Sequence, residues 1–208
     1  MKKFFFIFLL FALFITGFGI KKAQATHVMG MDVQWKCLGN DTYQITITAY
    51  RRCTDGAAQM SAVNPVITSD SCSNSYNVSS GSYKSWTIED ITPVCNASYK
   101  PCTTPNGNGR SSTPQIPVGV EKHTFIYKVY LGGAYANCCW YRIQWQLCCR
   151  NSNISTGYAD QNFLSESWLN RCATPCDNGP EFKNPPVAVK CAGQDVCFNH
   201  GVIDVDGD

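Results

Sequence analysis

Thirteen cysteines stand behind an export signal, and this pairing constrains the fold more than anything else in the 208-residue chain. Met1-Lys2-Lys3 forms a positive n-region, Phe4 to Ile20 is an apolar or small-residue run, and Ala23-Gln24-Ala25 has the small-x-small form of a cleavage site. Cleavage after Ala25 is expected, making residues 1–25 a signal peptide and leaving no membrane span. The alternative is an uncleaved anchor, because Lys21-Lys22 is unusual just before a cleavage site. Either way the rest of the chain leaves the cytoplasm, where cysteines become cross-links. The expectation is a disulfide framework built from Cys37, Cys53, Cys72, Cys95, Cys102, Cys138, Cys139, Cys148, Cys149, Cys172, Cys176, Cys191 and Cys197. Zinc fits poorly, since no C-x-x-C pair exists to complete a tetrahedral site. The count is odd, so at least one thiol is free, pairs with another molecule, or has its partner beyond Asp208.

Four of the 17 basic residues (Lys2, Lys3, Lys21, Lys22) and none of the 15 acids lie in the signal, so the mature part holds 13 against 15. No basic block remains to neutralise phosphates, which argues against a nucleic-acid partner.

Period-two alternation dominates the mature chain. Asp32 to Cys37 and Tyr43 to Ala49 alternate around the turn-forming Leu38-Gly39-Asn40-Asp41-Thr42, which predicts a β-hairpin. Ser85 to Ile91, Thr124 to Leu131 and Phe163 to Leu169 are further strands, and no 3.6-residue apolar period persists for three turns. Between Cys139 and Cys149, one face carries Tyr141, Ile143, Trp145 and Leu147. The other carries Trp140, Arg142, Gln144, Gln146 and Cys148. A one-sided strand belongs to a sheet packed on a second sheet, so the expected fold is all-β, a disulfide-stapled β-sandwich over residues 26–178. Cys139 and Cys149 are about 33 Å apart along an extended strand and cannot bond to each other. In Cys138-Cys139 and Cys148-Cys149, alternation sends the members to opposite faces, so independent structural bridges are expected rather than redox chemistry.

Lys100 to Val120, with Pro101, Pro105, Pro114 and Pro117, reads as a long connection; the alternative is a binding loop. A boundary falls at Cys172 to Pro186. Residues 179–208 then read as a linker and the first strands of a second β domain, Val187 to Cys191 and Val196 to Phe198. They are too few to close a core, so the chain reads as part of a longer protein.

Several segments are familiar together: His27-Val28-Met29-Gly30-Met31-Asp32-Val33-Gln34-Trp35-Lys36-Cys37-Leu38-Gly39-Asn40, then Tyr50-Arg51-Arg52-Cys53, Cys148-Cys149-Arg150-Asn151, and Phe198-Asn199-His200 leading to Asp204-Val205-Asp206-Gly207-Asp208. In order and spacing the chain resembles the N-terminal region of PKD-domain, gliding-motility-associated bacterial surface proteins exported by the type IX route. It departs from that pattern at Met31, where a second Gly is usual, and at Arg52, where an acid is usual. The resemblance implies an extracellular modular protein with Ig-like or cadherin-like domains downstream and a C-terminal sorting domain.

Asp204, Asp206 and Asp208 alternate around a Gly and are the candidate calcium ligands; the alternative is a solvated acidic turn. Trp140, on the polar face of its strand, and Tyr158 are candidate glycan contacts. No other cofactor is indicated. Catalysis has little support: the chain has three His (His27, His123, His200), no G-x-S-x-G and no H-E-x-x-H. A glycosidase pair would have to come from Glu89, Asp90, Glu121, Glu166 or Glu181. The expected function is a non-catalytic, secreted or cell-surface module for binding or adhesion, with glycans or cell-surface components as partners. The rivals are an accessory or catalytic domain of a glycan-degrading enzyme and a pure structural spacer.

Overall fold

A computed structural model of the chain describes residues 27–53, 60, 64–72, 75–77, 83–92, 102, 119–151, 154–155, 157–158, 161–185, 193, 195 and 197–207. The segment 1–25 expected to be a signal peptide, most of Lys100–Val120, Cys95, the Val187–Cys191 segment and Asp208 lie outside the described residues. No helix among the described residues is long and apolar enough to cross a membrane.

The described chain is all-β and antiparallel. Strands β1 (Val28–Gly39), β2 (Thr42–Arg52), β5 (Tyr83–Asp90) and β6 (Val120–Tyr130) form sheet A, in the order β1-β2-β6-β5. Strands β3 (Val66–Ser69), β4 (Ser75–Asn77), β7 (Trp140–Leu147) and β8 (Phe163–Asn170) form sheet B, in the order β4-β3-β7-β8. A small hairpin, β9 (Glu181–Phe182) and β10 (Val202–Ile203), comes last. The strands predicted before residue 171 recur with shifts of a few residues at their ends; Cys197 and Phe198 lie in no strand, and β3, β4, β9 and β10 were not anticipated, being too short to show a period.

The β1–β2 hairpin closes through Asn40 and Asp41, whose φ values of 50° and 56° are left-handed. Asn and Asp tolerate that region, and a two-residue turn of this hand matches the twist of paired strands. Alternation then sorts each strand. Tyr43, Ile45, Ile47, Phe125, Tyr127 and Val129 point from sheet A into a core shared with Ile67, Tyr141, Ile143, Trp145 and Leu169 of sheet B. Phe125 and Trp145 meet between the sheets with ring centroids 5.9 Å apart. At one end the sheets are also joined by backbone: Val28 N–H donates to Cys149 O at 3.0 Å, and Asn151 N–H donates to Val28 O at 3.2 Å.

Five disulfides join described cysteines. Cys37–Cys176, Cys53–Cys102, Cys72–Cys138 and Cys139–Cys172 are long-range bridges, and the fifth joins the neighbours Cys148 and Cys149. Cys138 and Cys139 do take separate partners, as expected, although both precede β7. Cys148 and Cys149 do not, which corrects the expectation of independent bridges. β7 ends at Leu147, so these two residues are no longer in extended strand, and the peptide between them is cis, with their Cα atoms 3.1 Å apart. Alternation applies only while the chain stays pleated. Cys197 carries a free, exposed thiol. A framework this dense belongs to an oxidising, extracellular-type compartment.

After β8 the chain returns along the edge of sheet A. Cys37–Cys176 anchors it there, Cys37 N–H donates to Asn178 Oδ1 at 3.1 Å, and Gly179 N–H donates to Trp35 O at 3.0 Å. Gly179 is obligatory at that contact, because a Cβ would sit 2.8 Å from the Trp35 indole. Residues 176–185 thus form a strap that continues over the outer face of sheet A.

Candidate functional site

Sheet B is most heavily tied where β7 begins. Trp140 follows two bridged cysteines, Cys138 bonded to Cys72 and Cys139 bonded to Cys172. Ser71 Oγ accepts the N–H groups of Cys139 (2.8 Å) and Trp140 (3.1 Å), while Ser69 Oγ donates to Trp140 O at 2.7 Å. The backbone beneath this indole is therefore fixed from two sides before any ligand arrives.

Outward alternation exposes Trp140 (46%), and β8 supplies Trp168 (43%) on the same face. Trp140 pairs with Asn170 and Arg142 with Trp168, so the two indoles are diagonal cross-strand neighbours. They meet edge to face, centroids 6.5 Å apart at 75°. The Arg142 guanidinium lies 5.3 Å from the Trp168 ring centre and 3.5 Å from Asp70 Oδ1. Glu166 accepts from Trp168 Nε1 at 3.2 Å and from Gln144 Nε2 at 2.9 Å. Together Trp140, Trp168, Asp70 and Ser71 line an open cavity of about 410 Å³. An aromatic corner with a carboxylate at its edge suits a sugar ring, whose C–H face packs on indole while its hydroxyls donate to oxygen.

Tyr158 is not part of this corner. It is 61% exposed and lies in the connection that leaves β7, whereas Trp140 opens that strand. The eight residues of β7 put roughly 25 Å between the two ends. The partner is Trp168, and the alternation test applied to Cys139–Cys149 would have found it in Phe163–Asn170, where Leu164, Glu166 and Trp168 share the outer face.

The C-terminal carboxylates are engaged by backbone and amide groups. Asp206 accepts from Asn178 N–H (2.7 Å) and Asn178 Nδ2, which hold its carboxyl below the usual range. Asp204 Oδ1 accepts from the N–H groups of Asp206 (2.9 Å) and Gly207 (3.1 Å). The sole convergent ligand set among the described residues is Cys53, Cys102 and Glu121, and its two sulfurs are bonded to each other.

The five acids named as glycosidase candidates fall in three places: Asp90 opposite Glu121 on β5 and β6, Glu89 with Glu181 in one groove, and Glu166 on β8. Asp90 accepts from Thr92 and from the N–H of Cys102, the residue bridged to Cys53. Glu166 serves the tryptophan corner. Glu121 is buried in a polar chain across sheet A. It receives Arg51 Nε at 2.7 Å and His123 Nε2 at 3.1 Å, and Trp86 Nε1 donates to His123 Nδ1 at 3.2 Å. An indole N–H can only donate, so Nδ1 is the acceptor and Nε2 carries the proton given to Glu121. Burial alone would push the Glu121 carboxyl up, but the hydrogen bonds from His123 and Arg51 and the charge of Arg51 outweigh it and hold it low. Arg51, Glu121 and His123 are at most 1% exposed, so this chain braces the core and offers no surface to a substrate. No family model, no curated protein and no solved structure matches the chain.

Glu89 and Glu181 do share a groove, on the outer face of sheet A beneath the strap, and Asp32 lies at its base. Sequence reasoning placed Asp32 only in a strand. Desolvation pushes its carboxyl up to about 6, against smaller opposing effects of a Thr48 hydrogen bond and the Lys122 charge. The folded state therefore binds the proton more tightly than the unfolded one. Asp32 favours folding below the ordinary value of 3.8, and that contribution is lost as pH rises through about 6. Asp32→Asn is expected to raise stability by up to about 3 kcal/mol at pH 8 and to have little effect at pH 4, measured by urea unfolding.

Proposed function

We propose that the chain is a non-catalytic, extracellular carbohydrate-binding module of adhesive type, carried by a larger surface protein of the gliding-motility-associated kind. The observation that carries this is the Trp140–Trp168 corner beside Asp70, held rigid by Cys72–Cys138 and Cys139–Cys172. A site fixed before binding loses little entropy when the ligand arrives. The strand order supports an Ig-like sandwich as the scaffold. β1-β2-β6-β5 against β4-β3-β7-β8 follows the A-B-E-D and C′-C-F-G arrangement of that fold. Export and the motif segments support the surface-protein setting, with Ig-like or cadherin-like domains following.

A glycan array probed with the purified chain tests the reading. One polysaccharide class should bind, and Trp140→Ala or Trp168→Ala should each weaken it about tenfold or more, as expected for an exposed aromatic anchor. Because both indoles are exposed, unfolding stability should move by less than about 1 kcal/mol. An array with no hit would leave the structural spacer in its place.

The enzymatic reading draws on one observation, the shared groove of Glu89 and Glu181. Against it, both carboxylates are already engaged by lysines: Lys122 Nζ lies 3.9 Å from Glu89 and Lys183 Nζ 2.6 Å from Glu181.

A further inference from the structure

The groove under the strap holds a feature the tryptophan corner does not explain. Asp32 is 7% exposed, yet among the described residues its Oδ1 has no hydrogen-bond partner, although Thr48 donates to the carboxyl. A buried carboxylate oxygen without a donor marks an incomplete site. The cavity above it, about 300 Å³, is the size of a small-ligand pocket. From this geometry we propose that the groove binds a non-acetylated amino sugar, with its ammonium group donating to Asp32. This site is separate from the tryptophan corner and does not depend on it.

Three observations select that chemistry. The first is charge. The groove's lysines are turned to other acids, Lys122 to Glu89 and Lys183 to Glu181, and no ion pair among the described residues engages Asp32. An ammonium supplies the missing donor and the missing charge together. The second is the wall. Gln34, Thr46 and Thr124 line the groove and offer amide and hydroxyl groups to a polyhydroxylated ligand. The side chain of a bound lysine would instead want an apolar sleeve. The third is geometry against a metal. Asp32, Glu89 and Glu181 do not converge within the 4.8 Å that ligands of one ion require, since the sole such set among the described residues lies elsewhere. Divalent cations need several oxygens on one centre; an ammonium needs one good acceptor and polar neighbours.

Tyr50, 4% exposed, borders Asp32 in the same cavity. Burial raises its phenol, and the charges of Asp32 and Glu89 raise it further, so it stays a neutral hydroxyl. The charged groups facing Asp32 are thus Glu89 from β5, Lys122 from β6, and Glu181 and Lys183 from the strap.

Calorimetry on the full chain at pH 7.5 tests this with glucosamine and a fully deacetylated chitosan oligosaccharide, against N-acetylglucosamine and the matching chitin oligosaccharide. Acetylation removes the ammonium while keeping the ring, so the acetylated sugars should bind at least about tenfold more weakly. Asp32→Asn, which keeps the shape and removes the charge, should weaken glucosamine binding about 10- to 100-fold. Its unfolding midpoint, expected at or above that of the parent, shows that the variant is folded. Binding should also fall between pH 7 and pH 5 as Asp32 takes up a proton. Equal affinity for the amine and its acetamide, undiminished binding by Asp32→Asn, or no binding of either amine at millimolar concentration would overturn the proposal.

Discussion

Replacing Glu121 by alanine is expected to destabilise the folded chain by about 3–5 kcal/mol, the cost of removing one partner of a buried ion pair. Arg51 is 0% exposed and its Nε donates to Glu121 at 2.7 Å, so truncating the acid strips that N–H of its acceptor where water cannot replace it. His123 Nε2–H loses its acceptor in the same step. The effect should be non-additive. Arg51→Met together with Glu121→Leu removes both charges and leaves apolar volume, and should cost less than Glu121→Ala alone. Urea unfolding followed by tryptophan fluorescence measures both. A double variant as unstable as the sum of its singles would mean that the two residues act independently. Since the folded Glu121 carboxyl is held low, the stability it adds is present above its ordinary value of 4.5 and is lost as pH falls through the lower folded one. That trend is opposite in sign to the one expected from Asp32.

Removing the Cys37–Cys176 bridge with paired serines is the second large effect. It joins residues 139 apart, and the chain-entropy account assigns such a loop about 5 kcal/mol, against about 4 kcal/mol for Cys139–Cys172 at a separation of 33. The same cut releases the strap, leaving the hydrogen bonds from the residue-37 N–H to Asn178 Oδ1 and from Gly179 N–H to Trp35 O to hold it on β1. Hydrogen exchange should therefore show Gly179 losing protection well before Ile45 or Phe125 in the core. A variant with unchanged stability and a protected Gly179 would show that the strap is held by packing rather than by its sulfur.

Much of the architecture was readable because alternation is a local property. Tyr141, Ile143 and Trp145 were placed inside and Trp140, Arg142 and Gln144 outside from their order alone, and burial follows that division. Short strands escaped, since β3 and β4 have too few residues to display a period. The sites were less readable. Tyr158 was chosen for its type and lies at the far end of β7, while Trp168 reached Trp140 through register, which no single strand encodes. Asp32, Thr48 and Lys122 share a groove because β2 lies between β1 and β6. Strand order depends on the whole core.

From residue types and spacing alone came antiparallel strands with one wet face and sulfur as the cross-link of an oxidising compartment, since period and composition are each written in a short window. Which cysteines meet, and which polar side chains end up buried beside one another, was decided only in three dimensions. Cys148 and Cys149 joined because the strand stopped one residue earlier, and Asp32 lost water because a distant strap crossed it. Both outcomes depend on contacts between segments far apart in the chain, and such contacts exist only once the sheets have closed over a common core.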